Sequence, residues 1–510
     1  MLTARHRLAV LATVCLAVFA IDLDTTIVNV ALPTLSRQLG AGTSTLQWVV
    51  DGYSLAFAAL VLTGGSLGDR YGRRPVLVTG LLGFAAASAL AGEVHQAGTL
   101  VLLRFVMGAF DALVYPTTLS IITSAYPGRA ERTRAIGIWG AVAGLGVAVG
   151  PVTGGLLLAH FWYGSVFWAL VPVALVAVIA TVLVVPESRQ PGAARIDRLG
   201  LLVSSAAIGL LVYTVIEAPG RGWGAAASIA GFAGTALLGT AFVVVERRTA
   251  APMLDVTLFK VPAFTAASGS VTIAFFALLG FIFLVTQYFQ FIRGYSPLAT
   301  GVRILPVAIS IAAGSEAGAS LAVRAGPRLV VTGGLISFGA AFAWIAVSPA
   351  AEPYPRVVAQ MVIIGAALGL ISTPATESIL SVLPPARAGT GSAVNDATRE
   401  AGGTLGVAVI GSVFGSVYPH RLAATPVHAL PASAYAAARG SVAAALDIAR
   451  HQPDPAALTR AVTASFMAGL HAACVVAALA CWGGAGAALR LPGRPPREPV
   501  TGAGTPSRSL

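Results

Sequence analysis

Asp22, Asp24, Asp51, Arg104 and Asp111 stand inside long apolar runs, and Glu316 stands in another further along the chain. A charged side chain at the centre of a bilayer costs about 2.5–3.5 kcal/mol on insertion scales, so such residues are rarely idle. Run lengths place Asp22 and Asp24 in the outer half of a first span. Asp51 falls near the outer end of the second span and Arg104 a few residues into the fourth, all at similar depth. Arg104, Gly108, Asp111, Tyr115 and Thr118 recur at i, i+4, i+7, i+11 and i+14, one polar face of one helix. Such a stripe suits a proton or an ionic substrate group crossing an apolar core. The structural alternative is a static ion pair that locks helices together. Asp22 and Asp24 are two residues apart and project from nearly opposite faces, so at most one is expected to share the surroundings of Arg104. Seven residues of helix rise about 10 Å, so Asp111 is expected as a second ionisable site rather than as the arginine's partner. Glu217 and Glu377 sit near span ends and read as interfacial; Glu93 and Asp255 read as loop residues.

Other chemistry is excluded. The seven histidines show no paired-ligand spacing, and Cys15, Cys474 and Cys481 all lie in apolar runs, so neither a metal site nor a disulfide is expected. Gly402-Gly403-x-x-Gly406 follows no strand and is not a dinucleotide loop. No cofactor is expected, the proton serving as coupling ion.

The elements that position these residues follow from composition. The chain has 510 residues, 56% hydrophobic and 10% charged. That is a polytopic membrane protein, with all-α architecture. About fourteen apolar runs are long enough to cross a bilayer, the first at 8–33, the thirteenth at 401–418 and the last at 463–485. The first run follows Arg5 and Arg7 as a signal peptide would, but it is too long and contains two acids, so it reads as a retained helix. An N-terminus inside puts about 22 of the 32 Arg/Lys on cytoplasmic segments and about 9 outside. Both termini are therefore expected in the cytoplasm. The net charge of +12 reflects this bias rather than nucleic-acid binding. The segment 419–461 is expected outside, with a short helix on Ala436 to Ala449, and the tail 491–510 is expected to be disordered.

Gly65-Ser-Leu-Gly-Asp69-Arg70-Tyr-Gly72-Arg73-Arg74-Pro75 joins spans 2 and 3 and reads as a tight cytoplasmic loop. Its glycines allow two helix ends to approach, and Asp69 could cap a neighbouring helix N-terminus. Span 5 carries Gly140, Gly144, Gly146, Gly150, Pro151, Gly154 and Gly155, a face on which another backbone can pack closely, with Pro151 able to kink it.

The chain repeats weakly. A shift of 254 lays Leu67, Arg70, Gly72, Arg74, Val76 and Gly80 on Leu321, Arg324, Gly326, Arg328, Val330 and Gly334. A shift of 257 lays Gly108-Ala109 on Gly365-Ala366, and one of 260 lays Leu145 to Val149 on Leu405 to Val409. Internal duplication is the mark of transporters that rock two bundles about a central site. The expected domains are a six-helix bundle at 1–190, an inserted helix pair at 191–250 and a second six-helix bundle at 251–490. Asp69, Arg104 and Asp111 align with Val323, Met361 and Leu368, so ionic chemistry is expected mainly in the first bundle.

The order G-x-L-x-D-R-x-G-R-R of the loop resembles the loop 2–3 signature of the major facilitator superfamily. Gly150-Pro151-x-x-Gly154-Gly155 resembles the antiporter signature of its proton-coupled exporters. Leu23 to Pro33 is close to the first-span signature of the fourteen-span drug:proton antiporter branch, and Trp48 to Tyr53 resembles that branch's second-span opening. Leu103-Arg104 with Gly108 resembles a fourth-span motif whose arginine is implicated in proton transfer, although Met107, Phe110 and Asp111 replace its usual Gln, Gly and Ala. The resemblance reappears at Gln287 to Gln290 and Asn395 to Gly406. It implies efflux of hydrophobic or cationic small molecules driven by inward proton flow, in the plasma (inner) membrane, by a chain expected to act as a monomer. Asp24 is then the leading coupling acid, and the Gly65–Arg74 segment controls switching. Proton-coupled import remains the alternative, with a non-transporting receptor or scaffold behind it.

Overall fold

The computed structural model describes residues 3–127, 129–188, 197–249, 256–382, 388–425 and 430–493. Asp255 and the tail from 494 lie outside them. No strand occurs among the described residues. Lipid offers no partner for backbone N–H and C=O groups, so the apolar runs close their hydrogen bonds internally as helices. In chain order these are α1 (Ala4–Leu39), α2 (Thr43–Tyr71), α3 (Arg73–Glu93), α4 (Ala97–Ala125), α5 (Arg129–His160) and α6 (Ser165–Val184). Next come α7 (Arg198–Arg221), α8 (Ala226–Arg248), α9 (Pro262–Ile292), α10 (Pro297–Ala325), α11 (Pro327–Ile345), α12 (Tyr354–Ser381) and α13 (Ala388–Ala423). Two short helices, α14 (Ala432–Gly440) and α15 (Val442–Arg450), precede α16 (Pro455–Ala488). Among the described residues, thirteen helices are long and apolar enough to cross a membrane. With α2, 29 residues long, the fold has the fourteen spans that the apolar runs predict.

α1 packs on α5, and α4 on α2 and α3, in the first bundle. α9 packs on α13, α12 on α10 and α11, and α16 on α11 and α13 in the second. α7 and α8 pack on each other, and α7 also meets α2 and α13.

The duplication is visible in the glycine contacts. A Cβ on Gly146 would lie 3.0 Å from the Phe19 carbonyl oxygen, and one on Gly406 would lie 2.1 Å from that of Phe276. Gly80 approaches the Phe110 carbonyl as Gly334 approaches that of Ala367. Gly72 (φ 109°) and Gly326 (φ 89°) turn equivalent corners, conformations that L side chains rarely adopt. Every one of these pairs obeys the sequence shifts of 254 to 260.

Three local expectations change. The segment from Gly65 is not mainly a loop: α2 continues to Tyr71, α3 starts at Arg73, and Gly72 alone makes the corner. α13 begins at Ala388 rather than at 401, so its first turns, polar in sequence, are helical, with Val394 and Asn395 buried. The short helix expected on Ala436 to Ala449 is two helices, because Ser441 is extended (φ −146°) and its hydroxyl caps α15 at the Ala444 N–H.

Hydrogen bonds between the two bundles, among the described residues, gather at the end that holds α14 and α15. There Gln47 donates to the Val407 and Ala408 carbonyls at 3.2 and 3.0 Å. Gln290 donates to the Val30 carbonyl at 2.8 Å, and the Ser36 and Ser441 hydroxyls lie 3.2 Å apart. Gly155 seats α5 on Pro297 and Leu298, and Gly301 seats α10 on Pro151. This end is closed.

Candidate functional site

The ionisable stripe of α4 meets α1 and α2 inside the first bundle. Gly108 sets the register: a Cβ there would stand 2.1 Å from the Tyr53 carbonyl oxygen, so only glycine lets α4 approach α2 this closely. Arg104 is 2% exposed and Asp24 0%. The guanidinium Nη1 donates to Asp24 Oδ2 at 2.6 Å, and Nε donates to the Val49 carbonyl at 2.9 Å. The same guanidinium lies 4.3 Å from the centre of the Tyr53 ring, a cation–π arrangement. The Tyr53 hydroxyl in turn donates to Asp111 Oδ2 at 2.5 Å. Asp24, Arg104, Tyr53 and Asp111 thus form one continuous polar chain through an apolar bundle. Asp24 Oδ1 and Asp111 Oδ1 accept no hydrogen bond. Further along the stripe, Tyr115 stacks edge-on against Phe57 and Trp139, and Trp139 donates to the Thr118 hydroxyl at 3.2 Å. Asp111 does not touch the arginine directly; the tyrosine spans the gap that helix rise requires.

The glycines of α5 bring α1 to this chain. Gly146 lies against Phe19 and Asp22, Gly150 against Leu23 and Thr26, and Gly154 against Ile27. A Cβ on Gly150 would come 2.0 Å from Thr26 Oγ1, whose hydroxyl donates to the Val147 carbonyl at 3.1 Å. Gly140 and Gly144 have nothing within 4 Å and belong to no such contact.

Asp22 faces away from Arg104. Its charge interacts instead with Glu400, Arg399 and Asp396 of α13, on the other bundle. Asp111 also feels Asp22 and Glu400, and Tyr115 feels Asp396 and Arg399. Arg399 lies 4.9 Å from the Phe275 ring centre, with Nε unpartnered. Charge is therefore present in both bundles, with the larger part, Asp22, Asp24, Asp51, Arg104 and Asp111, in the first. Asp396, Arg399 and Glu400 were hidden because the apolar run of α13 begins after them, so they read as loop. Glycine stands at position 140, where the repeat would place the counterpart of Glu400.

Two expected members are not part of this polar chain. Glu316 is exposed. α10 packs through Ile304, Val307, Ser310, Gly314 and Gly318, and Glu316 falls on the opposite side of the helix. Asp51 is fully buried but belongs to a different face of α2. Gln47, one turn before it, reaches α13, and Leu55, one turn after, faces Gly209 of α7. Val49 and Tyr53 carry the Arg104 contacts on another side.

The corner at Gly72 is built by its arginines. Arg73 donates from its backbone to the Ser188 carbonyl at 2.9 Å and from Nη1 to the Ser120 carbonyl at 2.8 Å, and Arg74 reaches the Val182 carbonyl. A Cβ on Gly72 would lie 2.5 Å from Glu187 Oε1. Gly65 and Gly68 face Pro116 and Thr117 of α4, and Arg70 lies over the Tyr71 ring. The segment ties α2, α3, α4 and the end of α6 together. The Asp69 side chain lies outside the described residues.

No group of three or more His, Cys, Asp or Glu able to hold a metal occurs among the described residues. A cleft of about 360 Å³ between α7 and α8, lined by Tyr213, Glu217, Arg221 and Ser228 among others, is separate from the buried charges.

A family profile described as Major Facilitator Superfamily matches residues 14–407. The chain is 34% identical to the multidrug efflux pump LfrA of Mycolicibacterium smegmatis, over 92% of this chain and 93% of that one. It is 35% identical to the puromycin resistance protein pur8 of Streptomyces alboniger, over 79% of this chain and 81% of that one. It is 31% identical to a tetracenomycin C resistance and export protein of Streptomyces glaucescens, over 81% and 78%. Among solved structures, a bacterial homologue of the human lysosomal transporter Spinster, inward-facing and unoccupied, superposes with a TM-score of 0.68 at 16% identity, covering 96% of this chain and 98% of that one. That likeness concerns the fold. Together with the fourteen spans, the duplicated glycine contacts and the polar chain inside the first bundle, these matches place the chain in the major facilitator superfamily.

Proposed function

We propose that this protein exports hydrophobic or cationic small molecules in exchange for protons, by alternating access. The observation that carries the reading is the buried Asp24–Arg104 pair, continued through Tyr53 to Asp111. A buried pair of this kind is held only while both members stay charged; removing one charge costs about 3–5 kcal/mol. A proton arriving at Asp24 removes the negative member. The guanidinium then loses its main anchor and keeps only the Val49 carbonyl and the Tyr53 ring. That is a two-state element that a proton can bias. Asp22 and Asp111, with Asp396, Arg399 and Glu400 across the bundle boundary, supply the groups that would meet a cationic substrate. Four carboxyls against one arginine favour a basic or cationic centre over an anionic one. The names of the similar efflux and resistance proteins support the same reading.

The arginine bias of the sequence favours termini in the cytoplasm and the closed end, with α14 and α15, outside. In that orientation the closed end of this plasma-membrane carrier faces outside, and the segment from Gly65 to Arg74 is the cytoplasmic tie that must loosen when the state changes. The carrier works as a monomer, each chain holding a complete pair of bundles.

The test is substrate-dependent proton movement in proteoliposomes carrying the purified protein. Addition of a cationic substrate of the similar pumps should release protons from loaded vesicles in the antiport direction. Co-movement of proton and substrate in one direction would establish import instead. No coupled movement with any amphipathic cation would remove the reading.

A further inference from the structure

The polar chain leaves the buried acid Asp51 of α2 unused. Asp51 is 0% exposed, and neither carboxylate oxygen has a hydrogen-bond partner. It lies on the face of α2 between Gln47, which hydrogen-bonds to α13, and Leu55, which faces Gly209 of α7. The surroundings are apolar: Trp48, Ile208, Leu211, Val212, Val215, Leu405 and Ala408 form one cluster there. This is the junction at which the first bundle, the second bundle and the inserted helix pair meet, in the closed half of the molecule.

No charged side chain among the described residues answers it. Arg104 and Asp111 of α4 contact α2 through Val49 and Tyr53, on another side, and Arg104 is engaged by Asp24 of α1. Glu217 of α7 is at the helix end beside Ser44. Asp396, Arg399 and Glu400 of α13 lie by Asp22, and Glu93 and Arg73 of α3 lie at that helix's ends. A carboxyl with no partner in such a place takes up a proton rather than remain charged.

We propose that Asp51 is a proton-operated latch on the closed end. Protonated, it lets α2 lie against α13 and α7. Ionised, it cannot be enclosed by them, so the three helices must part and give the carboxylate water. The step is a simple proton transfer: the carboxylate takes one proton from the aqueous phase at that end, and closure carries it into the dry junction. The inserted pair acquires a purpose, since α7 supplies one wall of that junction. The Asp24–Arg104 pair plays no part in this latch, so closure of this end consumes a proton separately from the central chain.

The test needs no substrate, so it stands apart from the export reading. Spin labels are placed at Thr45 and His420, on the α2 and α13 ends beside the junction, in the full-length protein in lipid nanodiscs. Cys15, Cys474 and Cys481 are buried. The distance distribution is followed from acid to alkaline pH. In the parent, a separated population should grow as pH rises. Asp51→Asn and Asp51→Leu should hold the short distance at every pH, and Asp51→Glu should restore the response. A parent distribution independent of pH, or neutral variants that keep the parent response, would overturn the proposal. Failure of both neutral variants to fold would overturn it too, because an uncharged side chain must fit the closed junction.

Discussion

At the scale of single residues, the question is whether Asp24 and Arg104 are a clamp or a coupling device. Both readings make Asp24→Asn destabilising, because it leaves a buried guanidinium without its counter-charge, at a cost of about 3–5 kcal/mol. They part at the double variant Asp24→Asn with Arg104→Met. Replacing a buried pair by neutral groups of similar volume is often neutral or stabilising. The double variant should therefore recover the thermal stability lost by the single one, read by fluorescence-detected gel filtration after heating. Proton-driven efflux should stay absent. Recovery of efflux along with stability would reduce the pair to a clamp. This chemistry was readable because charge inside an apolar run has no innocent explanation, and because a polar stripe at helical spacing points one way. Asp396, Arg399 and Glu400 were not readable for the converse reason: their segment is polar throughout, and only the packing of α13 against α9 makes its first turns part of the interior.

At the scale of elements, glycine decides how closely helices approach, and α5 provides its own control. Gly150 and Gly144 are both glycines of one helix, six residues apart. A Cβ on Gly150 meets Thr26 Oγ1 at 2.0 Å, whereas one on Gly144 meets nothing within 4 Å. Gly150→Val should push α5 off α1 and cost about 1–3 kcal/mol or more through overpacking. Gly144→Ala should be silent or gain up to about 1 kcal/mol of helix propensity. Yield of monodisperse protein and its melting temperature check both. Equal damage from the two would mean that glycine serves backbone flexibility in α5 rather than close contact. In the sequence, α5 shows the glycines without showing which of them touch anything. The segment from Gly65 was similarly half legible: arginines and glycines marked a corner, but the helix continues through most of it because the turn needs only Gly72 with its positive φ.

At the scale of the whole molecule, the repeat fixes two bundles and the chain's own text fixes their count, because each bilayer crossing demands an apolar run of about 20 residues. What closes one end against the other is less legible, since it rests on single contacts between distant segments. α14 and α15 are an instance. They lie between α13 and α16 in sequence and pack on both, so they travel with the second bundle, yet α15 also touches α1. Ser441, between the two short helices, meets Ser36 near the end of α1 with 3.2 Å between hydroxyls. Hydroxyls that close bring the two Cβ atoms into the neighbourhood of the roughly 3.5–4.5 Å separation of a disulfide. A Ser36→Cys, Ser441→Cys protein should therefore oxidise readily in the state described here. If transport is the rocking of one bundle against the other, that bond pins the closed end and abolishes turnover, and a reductant restores it. Each single cysteine should transport as the parent does, since neither hydroxyl reaches the buried charges. Full efflux by the oxidised double variant, with the cross-link confirmed by mass spectrometry, would mean that this end never opens at α1 and α15. Exchange would then have to proceed by movement within one bundle, with the cap as a fixed wall.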